Sequence, residues 1–157
     1  MSINDPDVRA FLRRAMVARI ATLARSGRPS ITPLYFNCVD GHIWLGTSSW
    51  TLAAREVSAD PRVSVLFQHE RNRHDHRILR VTGTATVRMD EAALRRRNRL
   101  MAFKYVLTPG GLLNHILNLH LSQVVRRYRA QSDQKGPGCV IDVTPERVEF
   151  LADMQPY

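Results

Sequence analysis

Ser30-Ile31-Thr32-Pro33-Leu34-Tyr35-Phe36, followed by Asp40-Gly41 and Ile43-Trp44-Leu45, is the stretch on which the fold turns. Its first seven residues set Ile31, Pro33 and Tyr35 on one side and Thr32, Leu34 and Phe36 on the other, the period of two of a β-strand, with both faces largely apolar. Asp-Gly tolerates the positive φ angles of a type I′ turn, so a tight hairpin into Ile43-Trp44-Leu45 is predicted. Upstream, Arg19-Ile20-Ala21-Thr22-Leu23 reads as a strand that ends at Ser26-Gly27-Arg28-Pro29, where Gly and Pro break a ladder. Downstream, Gly46-Thr47-Ser48-Ser49-Trp50-Thr51 leads into a short helix, Leu52-Ala53-Ala54-Arg55-Glu56-Val57, which Pro61 stops. Val63, Val65 and Phe67 then alternate with Ser64 and Leu66. The unit from Arg19 to Gln68 therefore reads strand, strand, strand, helix, strand.

Around this unit the pattern continues. Asp5-Pro6-Asp7 is a helix start, and Val8, Phe11, Leu12, Ala15 and Met16 recur at helical spacing, leaving Arg9, Arg13 and Arg14 for water. Leu79, Val81, Gly83, Ala85 and Val87 make one face of a strand over 78–87, and Gly83 in mid-strand predicts a bulge or bend. Asp90 and Glu91 open a helix toward Phe103, which Thr108-Pro109-Gly110-Gly111 breaks. A second helix carries the stripe Leu113, Leu117, Leu121, Val124 and Tyr128, wide enough to predict packing against a second subunit. Cys139 to Val143 and Arg147 to Leu151 read as two closing strands, with a turn at Thr144-Pro145-Glu146.

Composition narrows the classes. A chain of 157 residues supports one domain and one core. Its longest apolar runs fall far short of the roughly 20 residues of a membrane span, and the N-terminus lacks a signal-peptide core, so a cytoplasmic protein with no membrane partner is expected. Cys38 and Cys139 have neither metal-ligand spacing nor disulfide density and read as small apolar strand residues. The net charge of +9 raises nucleic acid as a partner. Yet only Lys104 and Lys135 are lysines, and the clusters Arg95-Arg96-Arg97 with Arg99, and Arg126-Arg127 with Arg129, lie on helices without interleaved aromatics. Solvated helix faces fit them better, which argues against that partner. His69, His74, Asp75 and His76 fall in the most polar segment, His69 to Arg77, read as an exposed loop or strand extension rather than a metal site.

These residues carry a resemblance. Ala21-Thr22-Leu23, Gly27-Arg28-Pro29, Thr32-Pro33-Leu34-Tyr35-Phe36, Gly46-Thr47, Asp60-Pro61-Arg62-Val63, Arg80-Val81-Thr82-Gly83-Thr84-Ala85 and Val143-Thr144-Pro145-Glu146-Arg147-Val148-Glu149-Phe150 resemble the pyridoxamine 5′-phosphate oxidase-like superfamily. That group includes the flavin- and deazaflavin (F420)-dependent split-barrel oxidoreductases. The resemblance implies a mainly β protein with helices (α+β): a six- or seven-stranded antiparallel split β-barrel, one domain over 1–157 with a helical insertion at about 90–130, assembled as a homodimer. It also implies a flavin-type cofactor at the dimer interface, FMN first, F420 as the alternative, with haem behind both.

Carried over residue by residue, the resemblance sets Thr32, Pro33 and Leu34 beside the cofactor ring. The phosphate then meets Thr47, Ser48, Ser49, Trp50 and Thr51 at the N-terminus of the short helix, where hydroxyls and free N–H groups favour either plain capping or an anion. The chain departs from the pattern after Thr51, where Leu52 and Ala53 replace a basic residue and Arg55 is the first cation. Each charge-assisted bond so lost is worth roughly 1.5–3 kcal/mol. Arg80 restores a cation if its strand face points to the site, and Trp50 either stacks on a ring or plugs an interface. The basic residues of pyridoxamine phosphate oxidation are also missing, since Thr32 and Phe36 are uncharged.

No nucleophile elbow, Walker loop, G-x-G-x-x-G or zinc motif is present, so a bound cofactor would carry any chemistry. Three functions follow. The first is an FMN- or F420-dependent oxidoreductase acting by hydride transfer on a small organic substrate. The second is a non-catalytic flavin- or haem-sequestering protein of the same fold. A basic nucleic-acid-associated protein is the remote third.

Overall fold

The computed structural model describes residues 1–69, 75–106, 130–132 and 134–151. Helix α1 (Pro6–Arg14) precedes strands β1 (Ala18–Leu23), β2 (Pro29–Val39) and β3 (His42–Ser48). Helix α2 (Leu52–Ala59), strands β4 (Arg62–Phe67) and β5 (Ile78–Arg88), helix α3 (Glu91–Tyr105) and strand β6 (Gly138–Leu151) follow. The six strands close into an antiparallel barrel in the order β1-β2-β3-β6-β5-β4. Among the described residues, no helix is long and apolar enough to cross a membrane.

Alternation along the strands fills the barrel. Ile20, Phe36, Ile43, Leu45, Val65, Phe67, Leu79, Val81, Ile141 and Val143 form one buried cluster. Val8, Phe11 and Leu12 of α1 and Ala53 and Val57 of α2 join it. Arg9, Arg13 and Arg14 are exposed, as the helical stripe requires. A second, smaller cluster of Val39, Trp44, Ala93 and Val140 lies outside the barrel, where α3 covers the β2–β3 hairpin. That hairpin turns on Asp40 at φ 52° and Gly41 at φ 84°, both in the left-handed region that a type I′ turn demands.

The last strand departs from expectation. Gly138–Leu151 is one continuous strand of 14 residues, with no turn at Thr144-Pro145-Glu146. Its register against β5 shifts between Thr82 and Gly83: Thr82 pairs with Arg147 but Gly83 with Pro145, leaving Glu146 as the extra residue of a bulge. Proline lacks the N–H that a regular ladder needs, and a bulge is one of the few strand positions that admits it. A Cβ on Gly83 would lie 2.1 Å from the Thr144 carbonyl oxygen, so the bulge requires glycine opposite it.

Other departures share one cause, the placement of faces against distant elements. Both sides of β2 are apolar, but Ile31 is 68% and Tyr35 60% exposed. Cys38 is exposed while Cys139 is buried. His69 is also buried rather than in an exposed loop: its ring stacks 4.0 Å from that of Phe11, and Nε2 lies 3.0 Å from the Phe11 carbonyl. The arginine run on α3 is largely engaged within the chain, Arg95 with Glu91, Arg96 with Asp40, and Arg97 with the carbonyls of Thr47 and Cys139. The expected helix break at Thr108-Pro109-Gly110-Gly111, the expected helical stripe from Leu113 to Tyr128, the cluster at Arg126, Arg127 and Arg129, and His74 fall outside the described residues.

At the mouth between β1 and β2, the ladder stops and a side chain takes over. Ala18 pairs with Leu34, and continuing that register by two residues would set Met16 opposite Phe36. Instead the Tyr105 hydroxyl from the end of α3 enters there, accepting from Phe36 N at 3.1 Å and donating to Met16 O at 2.8 Å.

Candidate functional site

Outside the barrel wall, β2 and β3 meet the turn that leads into α2. Tyr35 pairs with Gly46, which leaves the Tyr35 ring beside a backbone with no side chain of its own. Helix α3 approaches Gly46 on that same face: a Cβ there would lie 3.2 Å from Met101 Cε and 3.4 Å from Arg97 Cδ. Between these elements is an open cavity of about 460 Å³, lined by Val17, Pro33, Leu34, Tyr35, Gly46, Thr47, Ser48, Trp50, Thr51 and Ser132. Cofactor and drug-sized pockets span roughly 300–1,000 Å³, so the space suits a small organic molecule.

Six of the ten residues predicted for the site line this cavity: Pro33, Leu34, Thr47, Ser48, Trp50 and Thr51. Thr32 does not: it pairs with Ile20, two residues further along β2 from the cavity than Leu34, which pairs with Ala18. Ser49 is not in the lining; its backbone N–H donates to the Pro137 carbonyl at 2.9 Å. Arg55 is exposed on α2 and outside the lining. Arg80 is bound to Glu149 Oε1 at 2.6 and 2.8 Å, and its guanidinium holds that carboxyl below the usual range. Through the registers Arg80–Leu66, Leu66–Arg19 and Arg19–Pro33, it stands three strands from Pro33, about 14 Å around the wall.

The hydroxyl cluster is organised, but not as helix caps. Thr51 is the N-cap of α2, yet its side chain makes no capping bond; its hydroxyl donates back to Ser48 O at 2.8 Å and meets Thr47 Oγ1 at 3.0 Å. The first turn of α2 thus keeps N–H groups that no side chain caps, beside the cavity. Ser132 closes the opposite side: its hydroxyl lies 3.1 Å from Ser48 Oγ and accepts from Trp50 Nε1 at 3.3 Å. Lys135 Nζ stands 5.0 Å from the centre of the Trp50 ring.

Behind the cavity, Thr47 pairs with Cys139, and Arg97 Nη1 donates to both carbonyls, at 3.3 and 2.9 Å. Burial pushes the Cys139 thiol up to about 11, so it is protonated at neutral pH and offers no thiolate. The described lining contains no carboxylate, histidine, cysteine, lysine or arginine. It can stack, donate hydroxyl bonds and exclude water, but apart from the Tyr35 phenol it has no group to exchange a proton with a ligand.

Val17, Tyr35, Gly46 and Ser132 line the cavity without having been singled out from sequence. Tyr35 and Gly46 carried a signal, an aromatic at the outer period of β2 and a glycine at a strand end facing it. Val17 and Ser132 carried none, since only the closed barrel brings them to β3.

Known proteins place this architecture. The family model described as Pyridoxamine 5′-phosphate oxidase matches residues 5–152. Among solved structures, a conserved hypothetical protein of Mycobacterium tuberculosis superposes with a TM-score of 0.69 at 18% identity, over 98% of this chain and 92% of that one. A putative pyridoxamine 5′-phosphate oxidase of Listeria innocua gives 0.62 at 16% identity, over 92% and 95%. A structure named F420 reductase gives 0.60 at 17% identity, over 89% and 94%. At these identities the likeness extends to the fold. A search of curated proteins returns no match.

Proposed function

Since the chain belongs to the pyridoxamine 5′-phosphate oxidase family, we propose that it binds a flavin-type cofactor, FMN first and F420 as the alternative, in the cavity between β2, β3 and the turn into α2. In this reading it is an oxidoreductase that acts on a small organic substrate. The observation that carries it is the meeting of two unlike surfaces in one 460 Å³ space, an apolar and aromatic wall of Val17, Pro33, Leu34 and Tyr35 and a hydroxyl wall of Thr47, Ser48 and Thr51. A planar ring fits the first, and a phosphate fits the second with the uncapped turn of α2 behind it.

The cofactor, when bound, supplies the hydride chemistry. The chain's own residues hold and orient it: Pro33, Leu34 and Tyr35 face the ring, and Thr47 and Ser48 offer hydroxyls to the phosphate. Trp50 and Ser132 shut one side against water. A haem fits this lining less well, because of the residue types that ligate haem iron its described residues offer only the Tyr35 phenol, with no histidine, cysteine or methionine.

The assembly belongs to the same proposal. The outer face of β2 presents Ile31 and Tyr35 to solvent next to the cavity, and exposed apolar groups of this kind mark interfaces. A second copy of the chain covers that face in a homodimer and completes the open side of the site. Storage rather than turnover is the second reading, favoured by the lack of an acid–base group other than the Tyr35 phenol among the described residues of the lining.

The test is the visible spectrum of the purified protein, followed by titration with FMN and F420. Flavin or deazaflavin absorbance that co-elutes with the protein supports the proposal. A colourless protein that binds neither at millimolar concentration refutes it. Reduction and reoxidation of the bound cofactor over repeated turnovers with a substrate separates catalysis from storage.

A further inference from the structure

The proposed phosphate end of the cavity lacks a cation where the sequence resemblance expects one, and the fold brings one from elsewhere. Leu52 and Ala53 occupy the positions after Thr51. Arg55 is exposed and outside the lining, Arg80 is committed to Glu149, and Arg97 is committed to the carbonyls of Thr47 and Cys139. Lys135 is different. Like Arg55 it is exposed and outside the lining, but it makes no ion pair among the described residues and its ammonium stands 5.0 Å over the ring of Trp50, a lining residue.

The segment that carries Lys135 is fastened to the site at several points. Ser49 N donates to Pro137 O at 2.9 Å, Ser132 Oγ bridges Ser48 Oγ and Trp50 Nε1, and Gly136 packs so closely that a Cβ there would lie 2.8 Å from Ser49 Oγ. These contacts fix the backbone next to the hydroxyl turn, while the four-carbon stem leaves the ammonium free to reach around the Trp50 edge. The ring face holds a cation weakly, by roughly 0.5–1 kcal/mol at an exposed site, so a phosphate competes with it easily.

We infer that Lys135 is the counter-charge for the cofactor's phosphate, contributed by the approach to β6 in place of a basic residue on α2. The inference rests on the proposed cofactor reading and deepens it. An ammonium is a compact point charge with three donors, suited to a phosphate whose other oxygens take hydroxyls and backbone N–H groups.

The experiment compares FMN with riboflavin, which lacks the phosphate, by fluorescence titration of the wild type, Lys135→Gln, Lys135→Arg and Arg55→Ala. Lys135→Gln is expected to weaken FMN about 10- to 150-fold while leaving riboflavin within about 2-fold, the range of a lost charge-assisted bond. Lys135→Arg is expected to restore most of the loss, Arg55→Ala to change little, and the FMN-specific part to shrink as salt rises. Because Lys135 is exposed, the ligand-free melting temperatures should coincide. FMN binding that is unaffected by Lys135→Gln, or weakened equally for both ligands, overturns the assignment and leaves the cofactor reading standing. A wild type that binds neither flavin nor F420 overturns both.

Discussion

Tyr105→Phe removes one oxygen from the place where β1 and β2 part, and its cost can be worked from the geometry. The hydroxyl accepts from Phe36 N at 3.1 Å and faces two carbonyls, Met16 O at 2.8 Å and Phe36 O at 3.1 Å. A hydroxyl has one proton, so it serves one carbonyl at a time, and two bonds are lost rather than three. Phe36 is fully buried, and its orphaned N–H dominates the cost at about 1–3 kcal/mol, with the lost carbonyl bond adding part of about 1 kcal/mol. A loss of roughly 1.5–3 kcal/mol is expected, which for a chain of this length lowers Tm by about 3–12 °C. Urea titration should show a lower midpoint with an unchanged slope, because no surface is added to what unfolding exposes. A loss under about 0.5 kcal/mol would show that water takes over the hydroxyl's bonds, and the account of the β1–β2 mouth would be wrong. The phenyl ring survives in this variant and still meets Tyr35, whose ring lies 4.6 Å away, so cofactor affinity should hold while stability falls.

Three further outcomes test other parts of the structure. Gly83→Ala puts a methyl 2.1 Å from the Thr144 carbonyl, where backbone must move, and should cost about 1–3 kcal/mol in urea; a near-neutral result would contradict the bulge register. The Arg62 side chain, hydrogen-bonded to Asp60, holds its carboxyl at about 2 against an ordinary 3.8. A depressed carboxyl contributes stability above its unfolded value that is lost as pH falls through the folded one. Melting curves should therefore show Asp60→Asn below wild type at pH 7, with the gap closing between about pH 4 and pH 2; a gap independent of pH would count against the pairing. If the proposed homodimer forms through the exposed face of β2, the wild type sediments as a dimer and Ile31→Asp shifts it toward the 17.9 kDa protomer; a wild type that already sediments as a protomer refutes the dimer, and a dimer that Ile31→Asp leaves intact refutes this face.

What could be read from the chain was whatever neighbours along it dictate. Asp40-Gly41 fixes its hairpin because the φ angles of two adjacent residues decide it, and the alternation in β1, β4 and β5 finds the core because period two is local. Pro145 misled for the converse reason: proline next to Thr144 looks like a turn, and only the facing Gly83, 62 positions earlier, makes room for a bulge that lets the strand run on. Arg97 looked like one more solvated charge in a run of three. Its role at the back of the cavity depends on carbonyls 50 and 42 positions away, which no helical periodicity reveals. The same holds for Glu56, an acidic residue on a short helix that is buried with Thr22 and Ser30 donating to its carboxylate from β1 and β2. The hydroxyl turn at 47–51 was visible as a cluster, but whether it caps a helix or faces a ligand depends on where Thr51 sends its proton. In the fold it goes back to Ser48, so the helix end stays uncapped toward the cavity. A ligand-binding segment can therefore be proposed from composition, but its counter-charge cannot. Closing the barrel brings β6 beside β3, and with it Ser132 and Lys135, from more than 80 residues away, to a turn whose own sequence lacks the cation.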